Sequence, residues 1–270
     1  MEFANLFDLH THSKHSFDGN DTCEELCRAA VEKKLTGIAI TDHCDIDGAD
    51  LDVDSLCKNL LADVTACKIK HNCKQFTVLS GLEIGQGIYR KEKTEELLST
   101  YGFDIILGSV HNLENMQDFY FLDYNSLDVY ELLDAYFDAV TELAEWGRFD
   151  SLAHLTYPLR YIKGKYKIDI DLSKFSVKID NILKKLIENE KALEINTSEI
   201  NRELADFMPN ASVISRFNEL GGRYITIGSD SHYANRLGNG LQEGIKLAQD
   251  CGFEYQTVFV ERLPMRIKIR

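Results

Sequence analysis

Three prolines in 270 residues, no Cys-x-x-Cys pair, and no apolar run near the roughly 18 residues of a membrane span mark this chain by what it lacks. Without proline-rich or low-complexity tracts there is no obvious linker, so residues 1–270 read as one domain. The seven Cys are an odd number, and none has paired metal or redox spacing, which points to reduced thiols in a cytoplasm. Cys23 and Cys27 do stand at helical i, i+4 spacing. The opening Met1-Glu2-Phe3-Ala4-Asn5 has neither the basic end nor the long apolar stretch of a signal peptide. Positive charge is also scarce. Thirty Lys and Arg against 44 Asp and Glu leave −14, which argues against nucleic acid or an anionic membrane as partner. A hydrophobic content of 44% with 27% charged residues excludes extensive disorder.

What is present is an alternation of short apolar runs and amphipathic segments. Strands are expected at residues 6–9, 37–41, 76–82, 103–110, 149–153, 192–196 and 223–229, with a last one at 255–260. Helices are expected near 22–34, 54–71, 91–101, 126–146, 173–190, 209–220 and 238–250. Thr22 and Glu25 have capping-box spacing, and Pro209 suits a first helical position. Leu132, Leu133, Tyr136, Phe137, Val140 and Leu143 share one broad helical face. Seven strand–helix units imply a parallel sheet, open or closed into a barrel.

The polar residues favour the barrel. Of eight His, six fall at or just past the carboxyl end of an expected strand: His10, His12, His43, His111, His154 and His232. Glu83 ends the third strand and Asp230 the seventh. Barrel enzymes gather their chemistry at those ends. Imidazole nitrogens and carboxylate oxygens without thiolate suit Zn, Mn or Fe in a hydrolytic site. In His10-Thr11-His12 an extended backbone sends both rings to one side, and Asp230-Ser231-His232 repeats the arrangement. His71, at a Lys-rich helix end, is expected to face solvent.

His10-Thr11-His12-Ser13, Ile40-Thr41-Asp42-His43, Gly81-Leu82-Glu83, Gly108-Ser109-Val110-His111, Ala153-His154-Leu155 and Gly228-Ser229-Asp230-Ser231-His232 resemble the successive motifs of the PHP (polymerase and histidinol phosphatase) superfamily. The resemblance runs from residue 6 to about 250 and is strongest to stand-alone histidinol-phosphate phosphatases. It implies an α/β fold, a distorted (β/α)7 barrel with up to three divalent ions at the C-terminal ends of the strands. It implies a first ion held by His10, His12, Glu83 and Asp230, and a second sharing Glu83 with His111 and His154. A third would take Asp18, His43 and His232; His15, a rival to Asp18, has the wrong spacing and reads as a rim or surface residue. A metal-bound hydroxide near Glu83 and Asp230 would be the nucleophile, with no Ser or Cys required. Arg160 falls where the family places a phosphate-binding Arg. A second Arg commonly follows Asn-Thr-Ser-Gly-Leu; here Asn196-Thr197-Ser198-Glu199-Ile200-Asn201 lacks the Gly, and Arg202 arrives one residue late. Asn196 is expected to orient ligands rather than bind metal.

Three divalent ions against Asp18, Glu83 and Asp230 leave the site net positive, suited to a phosphate monoester dianion. The expected activity is metal-dependent hydrolysis of a small phosphorylated substrate, L-histidinol phosphate first. Another small phosphate ester, a nucleotide or a phosphoprotein is the alternative. A purely structural metal site is disfavoured because such sites are usually closed by four ligands and rich in Cys. An amidohydrolase-type barrel also begins with His-x-His, but typically needs a Lys or similar bridging ligand after the fourth strand, where His111 stands.

Overall fold

A computed structural model describes residues 3–48 and 51–270; Met1 and Glu2, part of the stretch read for a leader, lie outside them. Seven strands pair in parallel in sequence order: β1 (Phe7–Thr11), β2 (Gly37–Asp45), β3 (Thr77–Gly85), β4 (Ile105–Ser109), β5 (Ser151–Leu152), β6 (Ala192–Asn196) and β7 (Ile225–Gly228). Beyond the end of β7, Asp230 N–H donates to His10 O (2.8 Å) and His12 N–H to Ser231 O (2.9 Å), bringing the last strand back to the first. The result is a nearly closed (β/α)7 barrel.

Among the described residues, seven α-helices follow the strands: α1 (Cys23–Glu32), α2 (Val53–His71), α3 (Lys91–Thr100), α4 (Val129–Trp146), α5 (Ser176–Glu188), α6 (Ala211–Glu219) and α7 (Leu241–Asp250). The capping box at Thr22 and Glu25 starts α1. The expected apolar face of α4 is buried along its whole length. Pro209 does not open α6: it precedes the cap, and Asn210 accepts from Val213 N–H instead.

Period two along each strand divides the interior. Leu9, Ala39, Leu79, Ile105, Leu107 and Ala192 form an apolar layer at the lower end. Two and four residues on, the same faces carry His43, Glu83, Ser109, Glu194 and Asn196. In β1 a bulge between Asp8 and Thr11 inserts one extra residue and re-aims the strand's end.

The strand at Tyr255–Val260 is β8, and it does not join the barrel. It pairs antiparallel with β9 (Leu263–Lys268) across Glu261 and Arg262, both at positive φ. That is a two-residue hairpin turn built without Asn or Gly, so nothing in its sequence announced it. Val258 and Phe259 pack into the apolar layer, closing the N-terminal end of the barrel. The turn is tied down by Asp104 and Asp150, the residues before β4 and β5. Asp104 accepts from Glu261 N–H (3.1 Å), and Asp150 accepts from Arg262 Nε (2.9 Å) and Nη2 (3.0 Å).

Asp104 also accepts from Ser80 N–H and from Lys68 Nζ. Burial pushes its carboxyl up, but Lys68 and these N–H donors prevail and hold it below the usual 3.8. Asp104→Ala should therefore destabilise the fold by about 2–4 kcal/mol in denaturant unfolding. Because the folded value is depressed, the contribution is present above the usual carboxyl range and fades as pH falls through it. The wild-type and mutant stabilities should thus converge in acid; a gap that is constant with pH would contradict this role.

Candidate metal centre

Glu83, in β3 and fully buried, is the hub. Its Oε1 lies 3.2 Å from His111 Nε2 and 2.9 Å from His154 Nε2. Its Oε2 lies 3.2 Å from His10 Nε2, 3.6 Å from His12 Nε2 and 2.9 Å from His43 Nδ1. The parallel register sets His43 directly opposite Glu83. Asp230 faces the same rings from the other side, 3.7 Å from His10 Nε2 and 3.3 Å from His12 Nε2. At the rim, half-exposed Asp18 reaches His232 Nε2 (3.0 Å) and His43 Nε2 (3.8 Å). All nine residues singled out in the sequence converge on one mouth of the barrel.

A carboxylate accepts about four hydrogen bonds, and Glu83 faces five imidazole nitrogens. His12 Nε2, His43 Nδ1 and His154 Nδ1 are buried with no aligned hydrogen-bond partner. The rings crowd one another, His12 stacking on both His43 and His232 at 4.2 Å. Burial and the neighbouring His43 and His232 hold the His12 imidazole well below its ordinary value, so its ring is a neutral donor of lone pairs. Burial pushes Glu83 up, and His10, His111 and His43 outweigh it, holding the carboxyl well below its usual range. Three overlapping donor groups, His10–His12–Glu83, His43–Glu83–His111 and His10–His154–Asp230, each lie within ion-binding reach, as does His12–His43–His232. The His12 ring, the ionised Glu83 carboxylate and the orphaned ring nitrogens are donors that fit divalent cations.

A second ring of carboxylates stands behind these residues, and sequence reading missed it. Glu194, 1% exposed, meets His10 Nδ1 at 2.7 Å through one oxygen and accepts from His154 N–H (2.7 Å) through the other. Asp45 meets His111 Nδ1 at 3.0 Å. Asp42 accepts from Ser13 and Ser16, and Ser16 Oγ in turn lies 3.1 Å from His12 Nδ1. Close approach is designed in: a Cβ on Gly228 would overlap His10 and Glu194, and one on Gly85 would overlap Asp45. His154 and Asp230 both have positive φ, conformations the surrounding bonds must hold. The available signal was period two, since Glu194 and Asn196 are polar residues on one face of a short buried strand. Asn196 donates to Glu194 (3.2 Å) and accepts from Ser198.

Arg160 opens a single π-helical turn, Arg160–Lys165. Its Nη2 donates to Asp230 Oδ2 (2.8 Å) and Ser198 Oγ (2.7 Å), while its buried Nε has no aligned acceptor. Arg202 is half-exposed; its Nη1 stands 3.6 Å from Glu199, which also lies 3.3 Å from Arg160 Nε. Despite its displacement in sequence, Arg202 lines a groove of about 480 Å³ with Lys33, Ser198, Asp230, His232 and Arg236. His15 pairs with Asp63 outside the cluster. His71 does not simply face solvent: its side chain is 13% exposed and bonds Glu24 of α1 at 2.9 Å.

The model of the PHP domain matches residues 8–198. The chain belongs to the PHP domain family. A Clostridium acetobutylicum protein named "Probable histidinol-phosphatase" is 32% identical, the match covering 97% of this chain and 99% of that one. A Thermotoga maritima protein of the same name is 28% identical over 98% and 100%. The fold matches the crystal structure of histidinol phosphate phosphatase from Lactococcus lactis, solved with Zn, L-histidinol and phosphate, at a TM-score of 0.83. That likeness carries 23% identity and covers 97% of this chain and 99% of the other.

Replacing Glu194 by Gln turns one acceptor oxygen into a donor, facing either the His10 ring or the His154 and Asn196 donors. Glu194→Gln should weaken divalent-metal affinity by roughly 10–100-fold in chelator competition, with the circular dichroism spectrum unchanged. Wild-type affinity would remove Glu194 from this supporting role.

Proposed function

We propose that this chain, as one barrel domain over residues 1–270, is a metal-dependent phosphomonoesterase that hydrolyses L-histidinol phosphate to L-histidinol and phosphate. The observation that carries the reading is Glu83 surrounded by five imidazole nitrogens at the barrel mouth, with the Arg160 guanidinium bonded to Asp230 beside them. His10, His12, Glu83 and Asp230 would hold one ion, Glu83, His111 and His154 a second, and Asp18, His43 and His232 a third. Zn, Mn and Fe all suit this donor set. Such ions, when bound, polarise phosphoryl oxygens and lower the pKa of a coordinated water.

The protein's own groups supply position and charge. Arg160, held in place by Ser198 and by the face of Tyr157 at 5.2 Å, keeps its Nε–H free of an aligned acceptor and presents it to a phosphate oxygen. Arg202 meets the same anion from the groove side. Glu199, between the two guanidiniums, keeps them from repelling each other while the site is empty of anion. Asp118 is brought beside the cluster because Phe119 N–H donates to His111 O (2.9 Å). Burial pushes its carboxyl up, which suits a group that donates a proton to the departing alkoxide.

Assay of histidinol phosphate beside a panel of phosphomonoesters, nucleotides, phosphopeptides and phosphodiesters tests the substrate. Preference for any other member by kcat/KM would overturn the assignment. Chelator should abolish turnover, and Zn, Mn or Fe should restore it. Arg160→Ala should lower kcat/KM by at least ~100-fold, about 2.7 kcal/mol of transition-state stabilisation, with metal content retained. Asp118→Asn should depress kcat for alkyl phosphates far more than for p-nitrophenyl phosphate, whose leaving group needs no proton. Equal losses on both would exclude Asp118 as the acid.

A further inference from the structure

Outside the mouth, a second set of metal-binding side chains lies between the β1–α1 loop and the packed helices α1 and α2. Donor atoms of His15, Cys23 and Asp63 all fall within 4.8 Å of one another. His15 Nε2 is 2.9 Å from Asp63 Oδ2. The three form a gradient from inside to out: the Cys23 thiol is buried at 1% exposure, the His15 ring is 16% exposed and the Asp63 carboxylate 50%. Cys27 follows Cys23 by one turn of α1, and Cys67 follows Asp63 by one turn of α2, so further thiols line the same helix–helix seam. An ion pair between His15 and Asp63 accounts for two of these residues; the Cys23 thiol belongs to the apolar seam of α1 and α2 and stands within 4.8 Å of that pair.

We propose that His15, Cys23 and Asp63 form a separate zinc-type site that fastens the β1–α1 loop to α2. Thiolate, imidazole and carboxylate are the three donor types zinc accepts, and three protein ligands leave a fourth position for water on the exposed Asp63 side. As the Sγ–metal bond forms, the Cys23 proton leaves to solvent. His15 lies between His12 and Asp18, so an ion here would anchor the loop that carries Asp18 and Phe17 to the mouth of the barrel. The proposal stands apart from the phosphatase reading, because none of the nine residues at the mouth is a cysteine.

That difference supplies the test. Cobalt(II) bound by His and carboxylate gives no sulfur-to-metal charge transfer, whereas a Cys23 thiolate does. The titration uses the full chain carrying Cys73→Ser, which removes the exposed thiol. Added cobalt should produce the near-ultraviolet thiolate band, with the saturated intensity of one thiolate-bound cobalt per chain. Cys23→Ala should abolish it, and Asp63→Ala, a change at an exposed position that the core does not feel, should weaken the affinity read from the band at least tenfold. In both variants the cobalt bound without a thiolate band should be unchanged. No band in the Cys73→Ser protein, a full band in Cys23→Ala, or unaltered affinity in Asp63→Ala would each overturn the site and return His15 and Asp63 to a plain ion pair.

Discussion

Everything at the mouth of this barrel follows from burying one carboxylate. Glu83 has no solvent exposure, and an uncompensated buried charge is costly by several kcal/mol. Five imidazole nitrogens offset it, and they come from the ends of four different strands: His10 and His12 from β1, His43 from β2, His111 after β4 and His154 after β5. No local segment of the chain can assemble that environment. It exists only when the strands stand in register and the ring returns from β7 to β1 through the backbone bonds of Asp230 and His12. Barrel closure and site assembly therefore draw on the same strand-end contacts.

The opposite end of the barrel has the complementary task. The inward faces change from apolar to polar along the strand direction, so the lower interior must be sealed with apolar side chains. The β8–β9 hairpin does so with Val258 and Phe259, and its turn is clamped by Asp104 and Asp150 just where β4 and β5 begin. The sealed end is packed with apolar side chains, whereas the other end holds strained and crowded groups such as His154 and Asp230 at positive φ.

This division also explains what the sequence could tell. The barrel strands and eight of the nine convergent residues were legible because a polar side chain at the end of an apolar run is conspicuous, and six His so placed point one way; Asp18, in the loop after β1, came only from the family resemblance. Glu194, Asp45 and Asp42 were harder to see, since each lies within or at the observed end of a strand and acts through another residue. Glu194 needed the period-two comparison with Asn196, and Asp45 needed the length of β2, which runs four residues past the expected end. The hairpin role of β8 was hidden because Glu261-Arg262 carries none of the usual turn residues. His71 misled because a Lys-rich helix end reads as solvated, while its partner Glu24 belongs to another helix.

Charge shows how a whole-chain number and a site can point in different directions without conflict. A net −14 opposes extended polyanions, which meet the averaged surface. A small anion meets something else. The groove beside Asp230 and His232 is lined by Lys33, Arg202 and Arg236, and Asp230 is bonded to Arg160. Salt screens charges separated by more than about 8–10 Å, so a compact dianion in that groove feels chiefly these cations and little of the acidic exterior. On the proposed reading, the acidic surface would disfavour long polymers of phosphate and the cationic groove would receive a single phosphate ester.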